Sequence, residues 1–291
     1  MNWDLASHDP NVNGASDVCF VFINAMATEG WDRDGLRDDF SDGLVLNVAR
    51  QCANTIVVIH AAGIRLVDQW IKHPNVTATV IAHLPGQDSG EALVQLLYGE
   101  AEFSGRLPYT LARNESDYGD VLFPCGLASP DDLSPQCDFD EGSYLDYRAF
   151  DAADITPRFE FGFGLTYTTF AYADLTFNTW NLTPDTPCSP QGLWDTVGAV
   201  TATVRNTGSR SGYEVTQLYL QIPGGPPRQL RGFEKVRLAP GEEATVRFEL
   251  ERRDLAEWDV QRQAWAVPQG EFGVFVGASS RDLPLESWFT V

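Results

Sequence analysis

The 291 residues predict two architectures in series: an α/β domain built on a mainly parallel sheet with helices on both faces, then an all-β sandwich. Three observations lead there. Up to about residue 110, short apolar runs alternate with helical periodicities. Beyond about residue 167 the pattern becomes period-2 alternation broken by Pro-Gly turns. A composition of 43% hydrophobic and 21% charged residues is enough to build a core.

The first apolar run, Val18 to Asn24, has the pattern of a strand buried on both faces. Asp39 to Ala53 carries Phe40, Leu44, Val45 and Val48 on one helical face. Thr55 to His60 is a second buried strand, Leu66 to Ile71 a short helical stretch, and Thr77 to Ala82 a third strand. Asp88 and Glu91 form a capping-box pattern for a helix that runs to Tyr98 and stops at Gly99. This β-α order predicts parallel pairing. Residues 111–166 lose helical periodicity and are dense in aromatics and carboxylates. In the last part, Val200, Ala202 and Val204 alternate with Thr201, Thr203 and Arg205 before a turn at Asn206-Thr207-Gly208. Ala244, Val246, Phe248 and Leu250 alternate in the same way, and Pro223-Gly224 and Pro240-Gly241 mark further turns, the grammar of a β-sandwich. The domains are placed at 1–16 (an N-terminal stub), 17–168 (α/β) and 169–291 (sandwich).

Twenty Lys and Arg against 41 Asp and Glu give a net charge of −21. That balance argues against nucleic acid and against anionic membrane surfaces, both of which need cationic partners. No apolar run approaches the roughly 18 residues of a membrane span. Met1 to Pro10 contains Asp4 and Asp9 and no Lys or Arg, so no signal peptide is expected in the chain. Sequons at Asn75, Asn114 and Asn181 hint at secretion. None of the five cysteines forms a CxxC metal pattern, and no metal or cofactor is expected. Cys19 and Cys52 read as buried thiols; Cys125 and Cys137 bracket a loop that a bridge would close in an oxidising compartment.

Ligands of open parallel sheets bind beyond the carboxyl ends of the strands. The first strand runs into Ala27-Thr28-Glu29-Gly30-Trp31-Asp32-Arg33-Asp34, which offers carboxylates, a guanidinium and a large aromatic. Such a set suits a sugar, and Glu29 is a candidate general acid. A solvated acidic loop is the plain structural alternative. His60 and His83 end the next two strands and read more readily as hydrogen-bonded structural residues than as catalysts or ligands. Ser16, Ser41 and Ser89 lie outside any G-x-S-x-G elbow. Gly162-Phe163-Gly164 has no helix after it and is no dinucleotide fingerprint. Trp180, Trp194, Trp258, Trp265 and Trp288 read as sandwich core or edge residues rather than a carbohydrate platform.

Several segments together resemble the C-terminal portion of fungal β-glucosidases of glycoside hydrolase family 3. They include Ala27 to Arg33, Asn54 to His60, Leu84-Pro85-Gly86-Gln87-Asp88-Ser89-Gly90, and Gly105-Arg106-Leu107-Pro108-Tyr109-Thr110. Glu141 to Asp151 and Phe159 to Thr168 complete the set. The resemblance implies an α/β sandwich domain followed by a fibronectin type III-like domain, with the family's N-terminal (β/α)8 barrel not represented. It implies a retaining β-glucosidase acting on β-glucosides or short cello-oligosaccharides, without a cofactor, and secreted. The family's acid/base Glu lies in a Ser-Gly-Glu-Gly-Tyr-like loop, so Glu29 inherits that role, with Ala27 and Thr28 departing from the pattern. Trp31 replaces the Tyr and would supply a substrate-binding aromatic wall. The nucleophilic Asp belongs to the barrel, and no segment here matches its motif. The chain alone is therefore expected to be inactive and to require a barrel. The alternative is a non-catalytic carbohydrate-associated binding or scaffolding module that keeps the fold and has lost the chemistry.

Overall fold

The computed structural model describes residues 4–12, 14, 16–122, 136–180, 182–184 and 187–291. The chain divides into two compact units, Met1–Leu97 with Leu111–Pro124, and Tyr98–Thr110 with Cys125–Val291.

The first unit is built on a parallel sheet of β1 (Cys19–Asn24), β2 (Thr55–His60) and β3 (Val76–Ile81) in sequential order. Helix α1 (Asp39–Ala49) packs on β1 and β2. Asp38 caps it, with Oδ1 accepting from Ser41 N at 2.7 Å. Val21, Ile23, Val57 and Ile59 share one face and are buried. The first strand departs from its expected burial on both faces, because Phe20 and Phe22 on the other side stay 43% and 54% exposed. An uninterrupted apolar run does not distinguish one covered face from two. Residues 66–71 form turns rather than a regular helix, closed by Trp70 N and Ile71 N on Val67 O. Helix α2 (Ser89–Leu97) stops before Gly99, whose φ of +75° suits a glycine. Glu91 in its first turn accepts from Gln95 Nε2 at 2.9 Å.

Cys19 and Cys52 are joined in a disulfide, not buried as separate thiols. The β1–β2 register sets Cys19 opposite Thr55, beside the chain that enters β2 at Cys52. The expected Cys125–Cys137 bridge involves Cys125, which lies outside the described residues.

The second unit holds the sandwich. One sheet orders β4 (Phe170–Thr179), β5 (Thr196–Asn206) and β8 (Glu243–Glu251). The other contains β6 (Gly212–Gln221), β7 (Gln229–Leu238), β11 (Glu271–Gly277) and β12 (Leu285–Thr290) in the order β12-β11-β6-β7, all antiparallel. A hairpin of β9 (Glu257–Asp259) and β10 (Ala264–Ala266) stands apart. Val200, Ala202 and Val204 face inward with Leu218, Leu220, Phe272 and Val274 in one fully buried cluster. The expected turn after β5 is tied by buried Asn206. Its amide nitrogen donates to Arg210 O and Leu238 O, and its oxygen accepts from Thr168 Oγ1 and Gly208 N. All its polar capacity is used, as burial demands. The five tryptophans read as core or edge are all at least 40% exposed, so none is a core residue; Trp258 and Trp265 meet edge to face across the β9–β10 hairpin.

Residues 136–168 make their contacts within the second unit. Asp151 explains part of this: its side chain is 1% exposed and pairs with Arg228 at 3.3 Å and Arg281 at 3.0 Å. Burial pushes its carboxyl up and the two guanidiniums pull it down, with burial the larger effect. Helix α3 (Tyr147–Ala152) starts at Asp146, which holds a φ of +52°. Its carboxylate accepts from Thr110 N, Thr110 Oγ1 and Tyr147 N, which hold it in that strained backbone state.

Candidate functional site

The loop beyond the carboxyl end of β1 carries the expected residues. Thr28 and Trp31 form an antiparallel bridge around a tight turn, with Glu29 and Gly30 at its centre. Gly30 has a φ of +81°, the value the third position of a type II turn requires. No atom lies within 4 Å of where its Cβ would be, so backbone conformation and not crowding calls for the glycine here. The turn presents Glu29 to solvent, and Trp31 is 77% exposed beside it.

The chain leaving the turn is anchored. Arg33 Nη1 donates to Ile64 O at 3.0 Å. Leu36 N donates to Glu115 Oε1 at 2.5 Å, and Leu36 O accepts from Leu66 N at 2.8 Å. Residues 24–26, 33–41, Arg65 and Glu115 line an open cleft of about 710 Å³. A polar cluster underlies it. The Arg65 side chain is 1% exposed and donates to Asp38 and Asp42, each at 3.1 Å. Trp70 Nε1 donates to the same Asp42 oxygen at 3.0 Å. Each charge is partnered, which a buried ion pair needs if it is not to destabilise the fold.

The structure brings Glu29 and Trp31 onto one turn, and neither these two nor the histidines line the cleft. His60 stacks on Phe22 with ring centroids 6.4 Å apart, a packing role. His83 follows β3 with a φ of +51°. Among the described residues, no three His, Cys, Asp or Glu side chains are grouped to hold a metal ion. No helix among them is long and apolar enough to cross a membrane. The residues that sequence reasoning missed are Asp38, Asp42, Arg65 and Glu115. A carboxylate just ahead of an apolar helical face is a capping signal, so Asp38 was within reach. The pairing of Glu115 with Leu36 spans 79 positions and leaves no local trace.

Residues 4–167 match the glycosyl hydrolase family 3 C-terminal domain. The chain belongs to glycosyl hydrolase family 3. Residues 214–280 match the fibronectin type III-like domain, as expected for the sandwich of a family 3 protein. Beta-glucosidase cel3A of Pyricularia oryzae is 64% identical over 287 residues, covering 98% of this chain and 37% of that protein. Probable beta-glucosidase M of Aspergillus fumigatus is 57% identical, over 99% of this chain and 38% of its own. The crystal structure of beta-D-glucoside glucohydrolase from Trichoderma reesei superposes with a TM-score of 0.87 at 40% identity, over 95% of this chain and 40% of that one. The family 3 chain described here thus spans about two fifths of the length of these relatives.

Proposed function

We propose that this chain is the acid/base-bearing part of a retaining β-glucosidase acting on terminal β-D-glucosyl residues of β-glucosides or short cello-oligosaccharides. The observation that carries the reading is the Glu29-Gly30-Trp31 turn at the carboxyl end of β1, in a chain 64% identical to a protein named a β-glucosidase. Retaining hydrolysis uses two carboxyl groups about 5–5.5 Å apart. One attacks the anomeric carbon as the other protonates the departing glycosidic oxygen; the second group then takes a proton from the water that releases the sugar. Glu29 is assigned the proton-transfer role, and Trp31 a stacking surface for the leaving-group sugar. The nucleophile comes from a (β/α)8 barrel outside this chain, and no cofactor takes part. The isolated chain should therefore leave an aryl β-glucoside intact. The same chain joined to the N-terminal part of the Pyricularia oryzae relative should hydrolyse it. Hydrolysis by the isolated chain would contradict the half-site assignment. A well-folded but inert joined protein would favour a binding or scaffolding module.

We also infer that the protein is exported. The Cys19–Cys52 disulfide supports an oxidising compartment. The sequon at Asn114 is exposed, whereas the amide nitrogen of Asn75 donates to Ala49 O at 2.8 Å. Peptide mapping of secreted protein should find the disulfide formed, glycan on Asn114 and none on Asn75; reduced Cys19 and Cys52 would contradict the inference.

A further inference from the structure

We propose that Glu115 is a positioning residue that sets the location of Glu29 by clamping the stem of its loop; the inference rests on the acid/base reading above. The turn at Thr28–Trp31 is closed by its own bridge, so its place in space depends on the chain at either end. On the N-terminal side that chain is β1, fixed by its register with β2. On the C-terminal side it is residues 33–36, which belong to no helix or strand. Among the described residues, three hydrogen bonds hold them: Arg33 to Ile64 O, Leu66 N to Leu36 O, and Leu36 N to Glu115 Oε1. The first two come from the neighbouring segment 64–66. Glu115 is the side chain that reaches in from a distant part of the chain, and its bond is the shortest of the three at 2.5 Å.

Gly35 bears on the same approach. A Cβ there would lie 2.9 Å from the same Glu115 oxygen, so the carboxylate at the end of its flexible side chain would have to shift. The sequence thus places the one residue without a side chain where the carboxylate must pass to reach Leu36 N. Loss of the acceptor leaves the Leu36 N–H without its partner and lets the stem move. A displacement of about 1 Å in a reacting group costs as much as about 10²-fold in rate.

The test uses the chain joined to the N-terminal part of the Pyricularia oryzae relative. Glu115→Ala, Glu115→Gln and Gly35→Ala are made alone and combined with Glu29→Gln. For an alkyl β-glucoside, Glu115→Ala should lower kcat by about 10- to 100-fold with KM little changed. Glu115→Gln keeps a carbonyl acceptor and should recover most of the loss. Gly35→Ala, which makes the carboxylate shift without removing it, should lower kcat in the same direction but by less than Glu115→Ala. In the Glu29→Gln background none of the three should lower kcat further by more than about 2-fold, because they act through the group already removed. If Glu115→Ala fails to fold, Gly35→Ala and Glu115→Gln still decide the matter. Losses that multiply with that of Glu29→Gln, or an undiminished kcat in both Glu115→Ala and Gly35→Ala, would overturn the positioning role while leaving the acid/base reading intact. A fully active Glu29→Gln protein would overturn both.

Discussion

In the sandwich, Leu218, Leu220, Phe272 and Val274 are fully buried between two sheets, while in the parallel sheet Phe20 and Phe22 stay about half exposed and α2 buries no residue. Each sheet of the sandwich supplies the cover for the other, so apolar alternation alone specifies its core. The parallel sheet has α1 on one face, and the stem of the loop that carries Glu29 is held by hydrogen bonds: Arg33 on Ile64, Leu66 on Leu36, and Leu36 on Glu115. The sandwich keeps a dry interior, whereas the hydrogen bonds of the first unit keep a few atoms of a surface loop in place.

The largest stability effect should separate the two kinds of burial. Phe272→Ala should destabilise the sandwich by about 3–5 kcal/mol, since it removes a fully buried ring from a packed core. Phe20→Ala, at a half-exposed position, should cost about 0.5 kcal/mol. Urea denaturation of both variants measures the difference, and equal shifts in midpoint would erase the distinction drawn between the two faces. A somewhat smaller effect is expected from Cys52→Ser. Opening a bridge between residues 33 positions apart should lower the stability of the first unit by about 3 kcal/mol and leave the sandwich transition where it was. A shift confined to the sandwich transition would contradict the assignment of the bridge to the parallel sheet.

How much of this was legible in the sequence follows from the range of each signal. The strands around Val200–Val204 and Val246–Leu250 were readable because side chains two apart share a face, a purely local rule. Val18–Asn24 was readable as a strand but not in its exposure, since Cys19-Phe20-Val21-Phe22-Ile23 is apolar throughout and one strand does not say what covers it. The Cys19–Cys52 bridge depends on the parallel register of two strands, and no cysteine spacing encodes that. The packing of residues 136–168 with the sandwich rests on Asp151 meeting Arg228 and Arg281, contacts that span 77 and 130 positions. At the candidate site, the acidic aromatic loop was visible at the end of β1 and offered Glu29 as a general acid by its place alone; the family pattern then gave Glu29 the acid/base role and Trp31 that of an aromatic wall. The turn that joins them needs Gly30 with positive φ, a local requirement a sequence can express. The clamp from Glu115 needs the fold first.

Whether Glu29 delivers the proton is decided by Glu29→Gln in the joined protein. Gln keeps the size and hydrogen bonding of Glu29 but has no proton to give to the leaving oxygen. For an alkyl β-glucoside, kcat should fall by about 10²–10⁴-fold. For a nitrophenyl glucoside, whose leaving group needs little protonation, the glycosylation step should slow much less, and added azide, which attacks the glycosyl-enzyme without base help, should restore part of its turnover. Equal, undiminished turnover of both substrates would assign the proton to another residue.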